Sequence, residues 1–240
     1  MALALVASFS AATARADVCP APAYAPAVAT VDGEARRQFL ARAFDREVTD
    51  VDVWSWSWGS VYAAGAVGQG VLLPFTSDKG KRIDLEVGIA STAFGAVSLY
   101  GLPLQLTLPL RGARRALDRG DCVGLARAER TLLAVEKDQA FANGIAGHLG
   151  NVAVNVVFML ILGVGYHRWP SAALSVGVGI PLGEGNAFTQ PHHLTDVLGR
   201  YRSGQLDFRG TPGPALPALA WSIAPIVGPH ASGAALSASW

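Results

Sequence analysis

Asn143, Gly147, Asn151 and Asn155 recur every four residues with His148 beside them, which on a helix aligns amides and one imidazole in a single stripe. The stripe lies within Ala142–Tyr166, a stretch that holds no Asp, Glu, Lys or Arg. Polar groups in such a setting are expensive unless paired, so the stripe must face protein or water rather than lipid. Two chemistries fit. One is a solute or proton path in which His148 titrates near neutral pH. The other is hydrogen bonding between helices, worth about 0.6 kcal/mol per contact on average. The structural reading is the expected one, because a path generally includes an acidic group and this stretch supplies none.

Other candidates are weaker. Gly177-x-Gly179-x-x-x-Gly183-x-Gly185 loosely resembles a phosphate-binding loop, but Pro181 and Glu184-Gly185-Asn186 follow where a helix N-terminus should meet the pyrophosphate. A glycine-faced strand packed on a helix accounts for it better. His167, Glu184, His192, His193 and His230 could form a metal or hydrolase site, yet their spacing matches no HExxH and the chain has no GxSxG elbow. No catalytic, cofactor-binding or metal-ligating residue is therefore assigned, and no enzyme activity is expected. Glu129, Glu136 and Asp138 alternate with Arg127, Arg130 and Lys137, the pattern of a solvated helix face.

The positioning elements are dominated by absence of charge. Trp54–Phe75, Val87–Leu110 and Ala142–Tyr166 each exceed twenty residues without an ionisable acid or a Lys or Arg. A hydrocarbon core about 30 Å thick needs roughly 20 apolar residues of helix, so each is long enough to cross it. The composition agrees, with 51% hydrophobic and 15% charged residues in 240 and a mean hydropathy of +0.32. A formal charge of +1 argues against a nucleic-acid partner.

Residues 1–16 have the apolar run and Ala14-Arg15-Ala16 ending of a secretory signal, though without a positive n-region. Residues 17–53 form an exported leader that includes an amphipathic helix. Its N-cap is Asp32, with Ala35, Phe39, Leu40, Ala43, Phe44 and Glu47 on one face and Arg36, Arg37, Arg42 and Arg46 on the others. Residues 54–169 form a membrane helical bundle, in which Ala64/Gly68 and Ala66/Gly70 offer small-residue contacts. Pro103 and Pro109 predict a kink or helix end near Leu102, and one long helix runs from Cys122 into the third stretch. Pro170 stops it.

From there to residue 240 the period changes to two: Leu174, Val176, Val178 and Ile180, then Trp221 and Ile223, then Leu236, Ala238 and Trp240. This predicts a small antiparallel β-sheet of about three strands, with one polar helix in His192–Asp207. The expected fold is thus a mainly helical integral membrane protein of two to three spans with a small C-terminal antiparallel β-sheet. Cys19 and Cys122 fall on one side of the membrane in this topology and could close a loop of about a hundred residues or remain free thiols. Functionally the pattern suggests a structural or interaction component of a bacterial cell envelope, partnered by the bilayer and by a protein or a second copy. The alternative is a subunit of a small oligomeric transporter or channel.

Overall fold

Asp32, Asp78 and Asp121 each precede a helix and cap it. The Asp32 carboxylate accepts from the amides of Glu34 and Ala35 at 3.0 and 3.2 Å, and Asp78 and Asp121 accept from Lys81 and Gly124 at 2.7 and 2.5 Å. The computed structural model describes residues 19–207, together with the backbone alone of 220–228 and 231–239. The expected signal segment, residues 1–16, lies outside the described residues, as does His230.

Six α-helices follow in order among the described residues: α1 (Gly33–Leu72), α2 (Lys79–Leu117), α3 (Cys122–Ala142), α4 (Ile145–Leu160), α5 (Trp169–Phe188) and α6 (His193–Arg202). The amphipathic helix and the first uncharged stretch are one element, α1, whose 40 residues span about 60 Å. Helix α2 continues through Pro103 and Pro109 to Leu117, so it does not end near Leu102. The expected continuous helix from Cys122 divides at Asn143-Gly144, where Asn143 closes α3 and Gly144 caps α4. Helix α4 ends in a π-helical turn, Ile161–Gly165. Pro170 falls in the first turn of α5, where a missing amide costs nothing.

The expected small C-terminal antiparallel β-sheet is overturned. Leu174–Ile180, the supposed first strand, lies inside helix α5, and no strand occurs among residues 19–207. The alternation misled because Ser175, Gly177 and Gly179 are small rather than outward-facing polar residues, and small residues are as compatible with a tight helix seam. The helical unit runs to Leu206, and residues 207–240 form a separate unit. Among the described residues of that unit two backbone segments, Ala220–Gly228 and Ala231–Ser239, pair antiparallel.

The helical unit has two ends of opposite character. At the head end, the first half of α1 packs with the end of α2, with α3 and with α6 around Phe39, Leu40, Phe44, Leu110, Leu125, Leu132 and Leu198, each no more than 1% exposed. Cys19 and Cys122 are joined by a disulfide that ties the N-terminal segment to the start of α3. Arg36 and Glu129 are buried, contrary to the solvated faces expected of them. Their charges pair directly, and the Arg36 guanidinium also donates to the Tyr201 hydroxyl at 3.0 Å and to the carbonyls of Cys19 and Pro20 at 2.8 and 3.1 Å. Tyr201 donates to Glu129 in turn, and burial beside that carboxylate holds its phenol above the usual range. Each of the three guanidinium nitrogens thus has a partner, which offsets the cost of burying the pair.

At the other end the second half of α1, most of α2, α4 and α5 turn apolar side chains outward. Val67, Val97, Leu149, Val157 and Leu174 are all more than half exposed. Two helices, Lys79–Leu117 and Ile145–Gly165, are long and apolar enough to cross a membrane, and only 7% and 6% of their apolar windows is buried. The segment Trp54–Phe75 is not one of them, so the expected two to three spans reduce to two candidates. Its Ser55, Ser57, Ser60 and Gln69 dilute an otherwise apolar helix.

Candidate functional site

Helices α1 and α2 form one antiparallel hairpin and α4 and α5 another. In the first, close approach depends on glycines of α2: a Cβ added at Gly95 would lie 2.7 Å from the Tyr62 ring, and one at Gly88 would overlap the Gln69 amide. Gly68 and Gly70, expected at a helix contact, face open space. In the second, Gly179 and Gly183 lie one turn apart on α5. A Cβ there would come within 2.0 and 1.9 Å of the side-chain oxygens of Asn155 and Asn151. Two glycines of the motif, Gly179 and Gly183, therefore form a helix seam, and the motif lies in a helix rather than in a strand or a phosphate loop.

That seam brings the polar stripe to a partner remote in sequence. Asn155 donates to the backbone and side-chain oxygens of Asn151, both at 2.9 Å. Asn151 donates to Glu184 Oε1 at 2.7 Å and to the Ile180 carbonyl at 3.2 Å. The other carboxylate oxygen of Glu184 stands 2.5 Å from His148 Nδ1. Four residues thus form one continuous chain of hydrogen bonds between α4 and α5. Asn143, the first member of the expected stripe, is not part of it and instead donates to the Gln139 carbonyl at the α3–α4 break.

Between the two hairpins lies a cavity of about 840 Å³. Asn151 and Asn155 line it from α4, Gln69 and Tyr62 from α1, Ser91 and Thr92 from α2, and Ser175 and Asn186 from α5. The side-chain nitrogen of Asn186 is buried without a hydrogen-bond partner. An unpaired buried donor costs about 1–3 kcal/mol.

The cavity is bounded by polar contacts at both ends. Toward the head, the Trp58 indole donates to Thr189 Oγ1 at 2.8 Å and the Trp54 indole to the Asn186 carbonyl at 3.2 Å. At the far end, Arg168 makes a two-pronged contact with Asp84, both bonds 2.6 Å, and Ser171 donates to the same carboxylate at 2.9 Å. The hairpins also touch where the Phe94 and Phe158 rings meet edge to face at 6.4 Å between centroids. From Trp54 to Leu72 and from Trp169 to Phe188 the helices are 19 and 20 residues long, so these polar collars stand about 30 Å apart at 1.5 Å per residue.

The remaining histidines do not converge. His193 contacts Asp50 at 3.3 Å, while His192 stacks on His193 and bonds the Gln190 carbonyl. No group of three or more His, Cys, Asp or Glu residues able to hold a metal ion forms among the described residues. Sequence reasoning missed Glu184 as a partner of the stripe. The one available signal was its place on the glycine seam, one residue beyond Gly183. Comparison with protein-family models, with curated proteins and with solved structures gives no match.

Proposed function

We propose that this chain is an integral membrane protein of a bacterial cell envelope and a subunit of a small transporter or channel that holds its solute between the two hairpins. One observation carries the reading: Glu184 from α5 meets Asn151 and His148 of α4 beside the cavity between the hairpins, which Asn151 lines. The acidic group whose absence from α4 favoured a purely structural stripe is supplied by its neighbour. Ionisable groups among apolar helices are costly and tend to mark solute or proton pathways. The outward-facing apolar side chains support a lipid surround, since a soluble protein rarely exposes so large a patch.

The disulfide supports a head in an oxidising compartment, which leaves the Lys79, Lys81 and Arg82 turn on the cytoplasmic side as the positive-inside rule requires. In this reading α1 and α5 cross beside the two candidate spans, and a second copy flanks the cavity. No catalysis is part of this reading.

Osmotic swelling of proteoliposomes in choline chloride and in glycerol tests it. The full chain should admit at least one, and Asn151→Leu with His148→Ala should abolish entry while the assembly stays the same size in detergent. Impermeable proteoliposomes would sink the proposal. The second reading, a structural or interaction component, is favoured by the disulfide-clamped head, which presents a rigid exported surface. Recovery of a fixed heteromeric partner with native detergent would support it.

A further inference from the structure

Resting on the cavity reading above, we infer that the solute is a small organic cation. The residues lining the cavity include one carboxylate, Asp138, and no Lys, Arg or His. Asp138 is exposed at the head side of the cavity, and no described residue forms an ion pair with it. Glu184 adds a second carboxylate directly behind the lining amide of Asn151. The guanidinium nearest the far end, Arg168, is already neutralised by Asp84. An anion entering this space would shed its water without meeting a countercharge.

The walls favour a cation of a particular kind. Trp54, Tyr62, Phe94 and Phe141 place aromatic rings around the cavity, and ring faces attract ammonium groups that have lost water. A bare metal ion needs several converging oxygen or nitrogen ligands, and no such group forms among the described residues. A volume of about 840 Å³ lies within the range of pockets that enclose molecules of many atoms. Carboxylate at the mouth, aromatic walls and neutral amides in the depth together suit a substituted ammonium with an apolar body.

The test uses the full chain in lipid nanodiscs and the fluorescence anisotropy of ethidium, with empty nanodiscs subtracted. The anionic dye anilinonaphthalene sulfonate serves as comparator. Saturable ethidium binding is expected, displaced by tetraethylammonium, with no saturable binding of the anion. Asp138→Asn should weaken ethidium at least about tenfold, the loss of one modest charge interaction. Its side chain is exposed, so the variant should leave the fold intact, which an unchanged thermal midpoint checks. Glu184→Gln should weaken binding further. Equal binding of the anion, or unchanged affinity in both variants, overturns the cation assignment and leaves a solute cavity standing. Absence of saturable binding by either dye, with phospholipid retained in the cavity, overturns the assignment and counts against the cavity reading itself.

Discussion

Helix α1 buries Phe39, Leu40 and Phe44 at the head and, further along, exposes Val67, Val71 and Leu72. The polar residues reverse in the same way. At the head Gln38, Arg42 and Asp45 are exposed on a helix whose core face is largely apolar, with Arg36 and Glu47 the buried exceptions that find partners, whereas toward the far end Gln69, Asn151, Asn155 and Glu184 lie between helices whose outer faces are apolar. On the membrane reading proposed above, one chain follows two solvent rules. In water burial of apolar area drives packing. Among lipid tails that drive vanishes, and close backbone approach and hydrogen bonds take its place. The glycine contacts at Gly88, Gly95, Gly179 and Gly183 are what the second rule requires.

If the head is a water-packed core, breaking it should be costly. Glu129→Ala strands the Arg36 guanidinium in the interior and should cost about 3–5 kcal/mol, measured by chemical unfolding in detergent. Tyr201 and two carbonyls remain as partners, so a loss below about 1 kcal/mol would mean that water reaches Arg36. Next in size is the disulfide. Cys19→Ser with Cys122→Ser opens a loop of 103 residues and should cost about 2–5 kcal/mol, again confined to the head, which limited proteolysis of α3 and α6 would report.

A pH effect of similar size belongs to Glu47. Burial raises its pKa from 4.5 to about 7, against the lowering effect of the Gln139 hydrogen bond, and one carboxyl oxygen has no partner. The folded state therefore holds this proton more tightly than the unfolded chain. Its contribution is complete below pH 4.5, declines as pH rises and is lost above about pH 7, a change of about 3 kcal/mol. Glu47→Gln should flatten that part of the stability profile, and a slope that survives the substitution would assign it elsewhere.

The smallest effect is expected where lipid replaces protein as the neighbour. Val97→Ala should change stability by less than about 0.5 kcal/mol, while Phe44→Ala should cost about 3–5 kcal/mol. Equal losses at both positions would erase the distinction between the two ends.

Much of this contrast was legible in the residues. Runs without charge locate the apolar helices, Asp32 marks the start of α1, and the two cysteines invite pairing. Other features depend on partners that local pattern cannot reveal. Arg36 reads as an exposed base until Glu129, 93 residues away, meets it inside the head. Glu184 reads as a turn residue until α5 lies against α4, and its meeting with His148 spans 36 residues. The Leu174–Ile180 alternation fits a strand locally, but the same segment carries Gly179 and Gly183 at helical spacing, and packing against Asn151 and Asn155 uses that second period. The expected N-terminal signal, residues 1–16, and His230 lie outside the described residues.

Spin labels at Val97 and Leu149, with Val123 on the head as reference, test most directly which solvent surrounds the far end. In proteoliposomes, collisions with oxygen should exceed those with a water-soluble nickel chelate at Val97 and Leu149, and the order should reverse at Val123. Nickel-dominated relaxation at Val97 and Leu149 would place those apolar faces in water or against another protein and would contradict the account.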